Sequence, residues 1–200
     1  MESNYLNYSM EIVLIIITSY LMGSIPFGFL LTKYYLKKDI RNLGSGNIGA
    51  TNALRTGSKF IGYSTLLLDV VKAIIPVIYV SINYSDFIFV ASLSTFLGHV
   101  FPIWLKFKGG KGVATYVGIL FSINIIYGSV FVIIWIITFF STKYSSLSSL
   151  VASLGIPIYL LLIKNDNLIF FSIMFVLIFY THRKNIKQLK NKEENKTKIY

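Results

Sequence analysis

The chain has 200 residues, of which 54% are hydrophobic and only 14% are charged, whereas roughly 25% of the residues in soluble domains are charged. With a mean hydropathy of +0.66, this composition excludes an ordinary soluble domain and predicts an integral membrane protein. The net charge of +11 is explained by basic cytoplasmic loops, so no nucleic-acid partner is expected. The absence of cysteine excludes disulfides and thiolate chemistry.

Apolar runs with almost no charge predict seven membrane-spanning helices. They are residues 10–35, 60–82, 87–105, 112–125, 127–140, 147–163 and 168–180. A span needs about 20 apolar residues, or about 17 at the short end, and the fourth and fifth runs are shorter than this. On length alone, residues 112–140 could instead form one long tilted helix.

The distribution of basic residues decides between these two arrangements. The loops after the first and third spans are rich in Lys and Arg, and the tail from residue 183 carries seven basic and two acidic residues. Basic segments are retained in the cytoplasm, and only seven spans place all three on one side. We therefore predict an all-α integral membrane protein with its N-terminus outside and its C-terminus cytoplasmic. Two short helices in the middle meet near Asn124, and residues 1–200 form one compact helical-bundle domain.

The first predicted cytoplasmic loop, residues 38–55, is rich in glycine and in hydrogen-bonding side chains. Its glycines match the pattern G-x-G-x-x-G, but that dinucleotide fingerprint requires a βαβ unit, which cannot form between membrane spans. Ser45, Asn47, Thr51 and Asn52 still provide a dense set of hydrogen-bonding groups. The loop therefore predicts an anion site, and a flexible polar linker is the alternative.

Residues 107–115 place two lysines and three glycines at the start of the fourth span. The segment is not a Walker A loop, because Lys111 is followed by Gly112 and position 105 is not glycine. Glycine lets backbone N–H groups approach an oxyanion closely, and lysine supplies the counter-charge. The segment predicts an anion nest at a helix N-terminus, and lysines that meet anionic lipid are the alternative.

Apart from Glu11 and Lys33 near the ends of the first span, Asp69, Lys72 and His99 are the Asp, Glu, Lys, Arg or His residues inside the predicted spans. Asp69 and Lys72 are three residues apart on one helix face, which predicts an internal ion pair. His99, one turn before Pro102, is either a donor or base of the site or a buried core histidine. The sequence contains no Ser-His-Asp arrangement and no His/carboxylate metal cluster, so it predicts neither a hydrolase nor a metal site.

Two more polar segments lie on the same predicted side of the membrane. Residues 143–149 contain four serines next to a helix start, which is typical of helix caps. Residues 182–185 are typical of the basic end of a span. Each of the four polar segments begins or ends a span, and this arrangement favours a single site at the cytoplasmic interface.

Four stretches together resemble the bacterial acyl-phosphate:glycerol-3-phosphate acyltransferase family. They are residues 23–28, residues 39–52, residues 98–102 continuing into 107–115, and residues 182–186 with Leu189. The resemblance covers nearly the whole chain in the family's order. It implies a seven-span enzyme of the bacterial plasma (inner) membrane whose active site faces the cytoplasm.

The implied reaction transfers an acyl group from acyl phosphate to the sn-1 hydroxyl of glycerol 3-phosphate. Its products are lysophosphatidate and phosphate, and the reaction is an early step of phospholipid biosynthesis. The resemblance implies no cofactor. It implies functional cooperation with an enzyme that forms acyl phosphate, in addition to the two substrates and the lipid bilayer.

The resemblance also assigns site residues. The catalytic and glycerol-3-phosphate-binding residues are Ser45, Arg55, Lys111, Ser149, His182 and Asn185. The phosphate of acyl phosphate is assigned to Gly46, Asn47, Gly109 and Gly110, and the supporting residues are Thr51, Asn52, His99 and Glu194. Ser146 is the alternative to Ser149. Glu193 is the alternative to Glu194, because the tail departs from the family pattern at Gln188 and Lys192.

A transporter or channel for an anionic solute is the alternative function. It predicts polar residues through the bilayer midplane and related repeats open to both sides. Here the donors crowd one side, which favours the enzyme. Because acyl phosphate is already activated, no covalent nucleophile is needed, and its own oxygens are the expected proton acceptor. His99 and His182 are the rival bases.

Overall fold

The structure, a computed structural model, describes the backbone of residues 2–197 and the side chains of residues 8–197. Lys198, one of the basic residues of the tail, lies outside this range. Regular structure within the range is entirely helical, which confirms the predicted all-α class. The helices are α1 (Glu2–Ser24), α2 (Phe27–Leu36), α3 (Ala50–Leu54), α4 (Lys59–Asn83), α5 (Ile88–Val100), α6 (Val113–Ile123), α7 (Ile125–Thr142), α8 (Ser145–Leu162), α9 (Leu168–Thr181) and α10 (Arg183–Lys190).

Five segments of the described chain are long and apolar enough to cross a membrane. They are Tyr8–Leu36, Lys59–Asn83, Ser85–Leu105, Ile125–Thr142 and Ser145–Leu162. The remaining two predicted spans correspond to α6 and α9, which are apolar but shorter. At 1.5 Å per residue, helices of 11 and 14 residues extend only about 16 and about 21 Å, against a hydrocarbon core about 30 Å thick.

Two breaks divide apolar runs of the sequence. The first predicted span contains α1 and α2, which are separated at Ile25 and Pro26 because proline has no N–H to continue the α1 hydrogen-bond ladder. The second break lies at Asn124, whose side chain accepts a hydrogen bond of 2.8 Å from the Ile126 N–H and caps α7. This break confirms that residues 112–140 form two helices rather than one.

The chain divides into two compact units that meet in sequence between Ile123 and Asn124. In the first unit, α4 contacts α1, α2, α3, α5 and α6, and α1 packs along α5. Glycines allow two of these contacts to be close: a Cβ at Gly23 would meet the Thr95 backbone, and one at Gly118 would meet the Val70 backbone. Small residues at such positions let the backbones of neighbouring helices approach each other closely.

In the second unit, α8 contacts α7, α9 and α10. Its interior includes Ile156, Leu160 and Met174, all fully buried. The rings of Tyr127 and Phe171 meet edge to face with centroids 5.5 Å apart. Large apolar side chains also cover the outside of the helices in both units, including Leu14, Leu67, Ile137, Leu162, Ile169 and Val176. Such a surface suits a lipid environment.

Candidate active site

The first glycine-rich loop is organised around the side chain of Asn52, which is 2% exposed. Its Nδ2 donates to the carbonyl oxygens of Ile40 at 3.2 Å, Leu43 at 2.9 Å and Asn47 at 2.7 Å. Its Oδ1 accepts a hydrogen bond of 2.8 Å from the Ser45 N–H. One amide therefore holds the loop from Ile40 to Asn47 in a single shape and fixes the backbone at Ser45.

The backbone of this loop uses conformations that favour glycine. Gly44 has φ of +53° and Gly46 has φ of +72°, and a Cβ at Gly44 would overlap Asn52 Oδ1. At the start of the loop, Arg41 lies 2.6 Å from the Asp39 carboxylate. The hydrogen bonds from the Arg41 side chain lower the pKa of Asp39, so this ion pair stays charged at neutral pH.

We expect Asn52→Ala to lower kcat/KM for the expected acyl transfer by about 10- to 100-fold. Ser45 and Asn47 lose their common anchor, and small displacements of reacting groups reduce reaction rates by factors of this size. The loss of net hydrogen bonds worth about 1 kcal/mol each should also lower the unfolding midpoint. Initial rates and thermal unfolding in detergent measure both effects. Asn83→Ala is the matched control, because Asn83 is exposed and its Nδ2 donates to the Tyr79 carbonyl of its own helix. Equal behaviour of the two variants would contradict the anchoring role of Asn52.

The second glycine-rich loop folds back onto the end of α5. The N–H of Gly109 donates to the Val100 carbonyl at 3.0 Å, and the N–H of Gly110 donates to the His99 carbonyl at 3.1 Å. These two N–H groups are therefore already hydrogen-bonded within the chain, contrary to the expectation that they face an anion. The two glycines instead provide room, since a Cβ at Gly109 would meet the backbone carbonyls of His99 and Val100, and one at Gly110 would meet the His99 ring.

The two loops rest on one apolar cluster of the first unit. Ile40, Ile48 and Ala53 come from the first loop and its helix α3, Ile61 comes from α4, and Leu105 directly precedes the second loop. This packing joins the first loop to the turn just before the second loop, although the two lie far apart in sequence. Ser45, Gly46 and Arg55 are exposed, Asn47, Thr51, Gly109 and Lys111 are half-buried, and Gly110 is buried.

The predicted ion pair inside the second span is confirmed. Lys72 Nζ lies 2.8 Å from Asp69 Oδ1, and both side chains are almost completely buried. His99 is also buried, and its Nδ1 lies 3.8 Å from the same carboxylate oxygen. The three residues form a polar cluster behind the second loop, inside the apolar part of the first unit.

In the second unit, Glu194 connects two of the polar segments. Asn185 Nδ2 donates to its carboxylate at 2.8 and 2.9 Å, and Ser146 Oγ donates to it at 3.0 Å. Ser146 and Asn185 are both buried. Glu194, rather than Glu193, therefore contacts Asn185. Ser146, the alternative to Ser149, contacts the same carboxylate, and no local sequence pattern indicates this contact because the two residues are 48 positions apart.

Ser149 and His182 have defined hydrogen bonds within the second unit. Trp135 Nε1 donates to Ser149 Oγ at 3.1 Å, and that hydroxyl donates to the Ser145 carbonyl at 2.8 Å. No sequence pattern predicted a role for Trp135. His182 Nδ1 lies 2.8 Å from the Ile178 carbonyl, so Nδ1 carries the proton and Nε2 of the neutral ring is an acceptor.

Comparison with known proteins supplies the family. Residues 13–192 match the family model described as glycerol-3-phosphate acyltransferase. A glycerol-3-phosphate acyltransferase of Pelagibacter ubique is 72% identical over 191 residues, covering 96% of this chain and 100% of that protein. The corresponding protein of Bradyrhizobium diazoefficiens is 47% identical over 183 residues, covering 90% and 92%.

Two solved structures are also similar, and both are of PlsY (YgiH), described as an integral membrane glycerol 3-phosphate acyltransferase. The glycerol 3-phosphate form superimposes with a TM-score of 0.87 at 34% identity, covering 93% of this chain and 95% of that one. The lysophosphatidic acid form gives a TM-score of 0.84 at 32% identity over the same shares of the two chains.

Proposed function

Since this chain belongs to the glycerol-3-phosphate acyltransferase family, we propose that it transfers an acyl group from acyl phosphate to the sn-1 hydroxyl of glycerol 3-phosphate. The products are lysophosphatidate and phosphate. The observation that carries this proposal is the apolar cluster that Ile40 and Ile48 of the first loop share with Leu105, just before the second loop. We propose that Ser45, Arg55 and Lys111 of these segments act in one site. The glycerol 3-phosphate and lysophosphatidic acid forms of the similar structures carry the acceptor and the product of the same reaction.

The charges of the site fit two phosphorylated substrates. Two phosphates brought together repel each other, so cations and hydrogen-bond donors must offset that repulsion. The planar guanidinium of Arg55 can bind one phosphate in a bidentate manner, and Lys111 contributes a point charge. Ser45 supplies a further polar contact to glycerol 3-phosphate, and we assign the acyl phosphate head group to Gly46, Asn47, Gly109 and Gly110, as the family resemblance implies. The same resemblance assigns Ser149, His182 and Asn185 to glycerol 3-phosphate.

The chemical step needs no covalent intermediate with the protein. The sn-1 oxygen attacks the acyl carbonyl carbon, the bond between that carbon and the phosphate oxygen breaks, and inorganic phosphate leaves. The hydroxyl proton passes to an oxygen of the acyl phosphate, since phosphate monoesters have a second pKa near ~6. Nε2 of His182 is the rival acceptor. The protein contributes by positioning both substrates and by stabilising the oxyanion.

The apolar segments and the integral membrane fold of the relatives make this a multi-pass membrane protein. We propose that residues 1–200 form one domain with seven spans in a bacterial inner membrane, with the N-terminus outside and the active site and C-terminus cytoplasmic. We also propose cooperation with an enzyme that forms acyl phosphate, because this activated donor must be supplied continuously.

The proposed orientation predicts opposite labelling of the loop between α8 and α9 and of the C-terminal segment. The protein has no cysteine, so single variants Asp166→Cys and Lys190→Cys introduce unique thiols at exposed positions. A membrane-impermeant maleimide added to intact spheroplasts should label Asp166→Cys, and it should label Lys190→Cys only after lysis. Labelling of Lys190→Cys in intact spheroplasts would contradict the proposed orientation.

The reaction itself is tested with purified protein, glycerol 3-phosphate and palmitoyl phosphate. Lysophosphatidate and inorganic phosphate should appear in equal amounts, and palmitoyl-CoA should not replace palmitoyl phosphate as the donor. Formation of lysophosphatidate from palmitoyl-CoA alone would overturn the proposed donor. Absence of product with either donor would overturn the proposed function.

A further inference from the structure

The buried ion pair of α4 has contacts that the proposed reaction does not use. Besides its 2.8 Å contact with Asp69, Lys72 Nζ donates a hydrogen bond of 2.7 Å to the Ile25 carbonyl. The Ile25 carbonyl lies at the break between α1 and α2. Lys72 Nζ also lies 5.8 Å from the centre of the Phe27 ring, at the start of α2. Lys72 therefore holds the break through a charge-assisted hydrogen bond in an apolar environment.

Asp69 faces the other side of the same cluster. Its Oδ1 is 3.8 Å from His99 Nδ1, a close packing contact that is too long for a hydrogen bond, and His99 has two contacts with the second loop. The His99 carbonyl accepts the Gly110 N–H at 3.1 Å, and the His99 ring fills the space where a Gly110 side chain would be. His99 therefore lies between the Asp69 carboxylate and the loop that carries Lys111.

A buried ion pair is weak grounds for assigning a stabilising role. The desolvation of two charges offsets most of their attraction, and apolar replacements of similar shape are often neutral or stabilising. Ionisable residues inside membrane spans instead tend to mark functional sites. The contacts of this pair lead in two directions, to the α1–α2 break and to the second glycine-rich loop.

We propose that Asp69 and Lys72 are positioning residues, which set the α1–α2 break and the loop of Gly109, Gly110 and Lys111 in a fixed relation to each other. Lys72 acts through the Ile25 carbonyl, and Asp69 acts through His99. The inference rests on the proposed function, because the positioned loop is the one assigned to acyl phosphate. It predicts that neutralising the pair lowers activity by loosening the loop while the fold is retained.

The test uses the full chain with the double substitution Asp69→Asn/Lys72→Met, which removes both charges and nearly keeps the volume. We expect the unfolding midpoint to stay within a few degrees of wild type. Amide hydrogen exchange should rise in peptides that cover residues 107–112 and 24–28, but not in peptides from α8. With palmitoyl phosphate, kcat/KM should fall about tenfold or more, mainly through kcat.

Thr65→Val is the matched control, because Thr65 is buried in the same helix and its hydroxyl donates to the Ile61 carbonyl of that helix. It should leave exchange and activity at wild-type levels. Wild-type exchange and activity in a folded double variant would overturn the positioning role. If the double variant does not fold, Asp69→Leu/Lys72→Met, which makes both positions apolar and leaves no buried charge or unpaired amide, takes its place, and the same comparison for residues 107–112 decides. Wild-type protein that forms no lysophosphatidate would contradict the proposed function, whereas the exchange comparison would still test the positioning role.

Discussion

Lys111→Ala is expected to lower kcat/KM for glycerol 3-phosphate acylation by about 100-fold or more. Two phosphorylated substrates repel each other, and Lys111 is the half-buried cation of the second loop, where a charge is less screened than on the open surface. Removal of one preorganised electrostatic contact typically costs about 100- to 1,000-fold in rate. Initial rates measured over a matrix of both substrate concentrations give the loss in kcat and in each KM separately.

Lys108→Ala is the matched control, because Lys108 belongs to the same loop but is exposed. Loss of its charge should change kcat/KM by less than about threefold at physiological salt, where exposed charges are largely screened. Lys111→Arg keeps the charge and should recover part of the activity. Equal losses for Lys108→Ala and Lys111→Ala would indicate a general electrostatic field rather than a specific contact.

Gly110→Ala is expected to lower both activity and stability, by about 100-fold in kcat/KM and by about 1 to 3 kcal/mol in the free energy of unfolding. The new Cβ would occupy the position of the His99 ring, and His99 is 3% exposed with little room to move. Overpacking of a filled interior costs this much. The displaced loop also misplaces Lys111, the next residue, by a distance that matters for catalysis. Thermal unfolding and initial rates measure the two effects.

A double substitution separates this clash from other causes. Gly110→Ala combined with His99→Ala removes the obstructing ring, so the two losses of stability should be markedly less than additive. Gly155→Ala is the control, because its Cβ would meet only the flexible end of the Ile134 side chain. Additive losses for Gly110→Ala and His99→Ala would show that the ring is not what Gly110 accommodates.

The parts of the fold that follow local rules could be predicted from the sequence. Asn124 precedes an apolar run and caps α7, so one apolar stretch becomes two helices, as predicted. Asp69 and Lys72 are one helical turn apart and form the predicted pair. Pro26 carried an equally local signal, but the first span was predicted without a break, because the apolar run continues through the proline.

The contacts that shape the candidate site could not be predicted from local sequence patterns. The amide of Asn52 reaches the carbonyl of Ile40, which is 12 residues away, so its role as an anchor depends on how the loop closes. The glycines of the second loop suggested free N–H donors, but the end of α5 provides carbonyl acceptors that bind both. The placement of each loop by Leu105 and Ile40 on one cluster depends on tertiary packing of distant segments.

The contact of Glu194 with Ser146 and Asn185 has a practical consequence for protein production. The carboxylate reaches both residues from the end of the chain, and beyond it the Thr197 N–H donates to the Lys143 carbonyl at 2.9 Å. Trimming the polar C-terminus to aid crystallisation would therefore remove the carboxylate that accepts hydrogen bonds from Asn185. Shortened expression variants that end before Glu194 should be assayed as if they carried a substitution beside Asn185, and purification handles are better attached through a spacer beyond Tyr200.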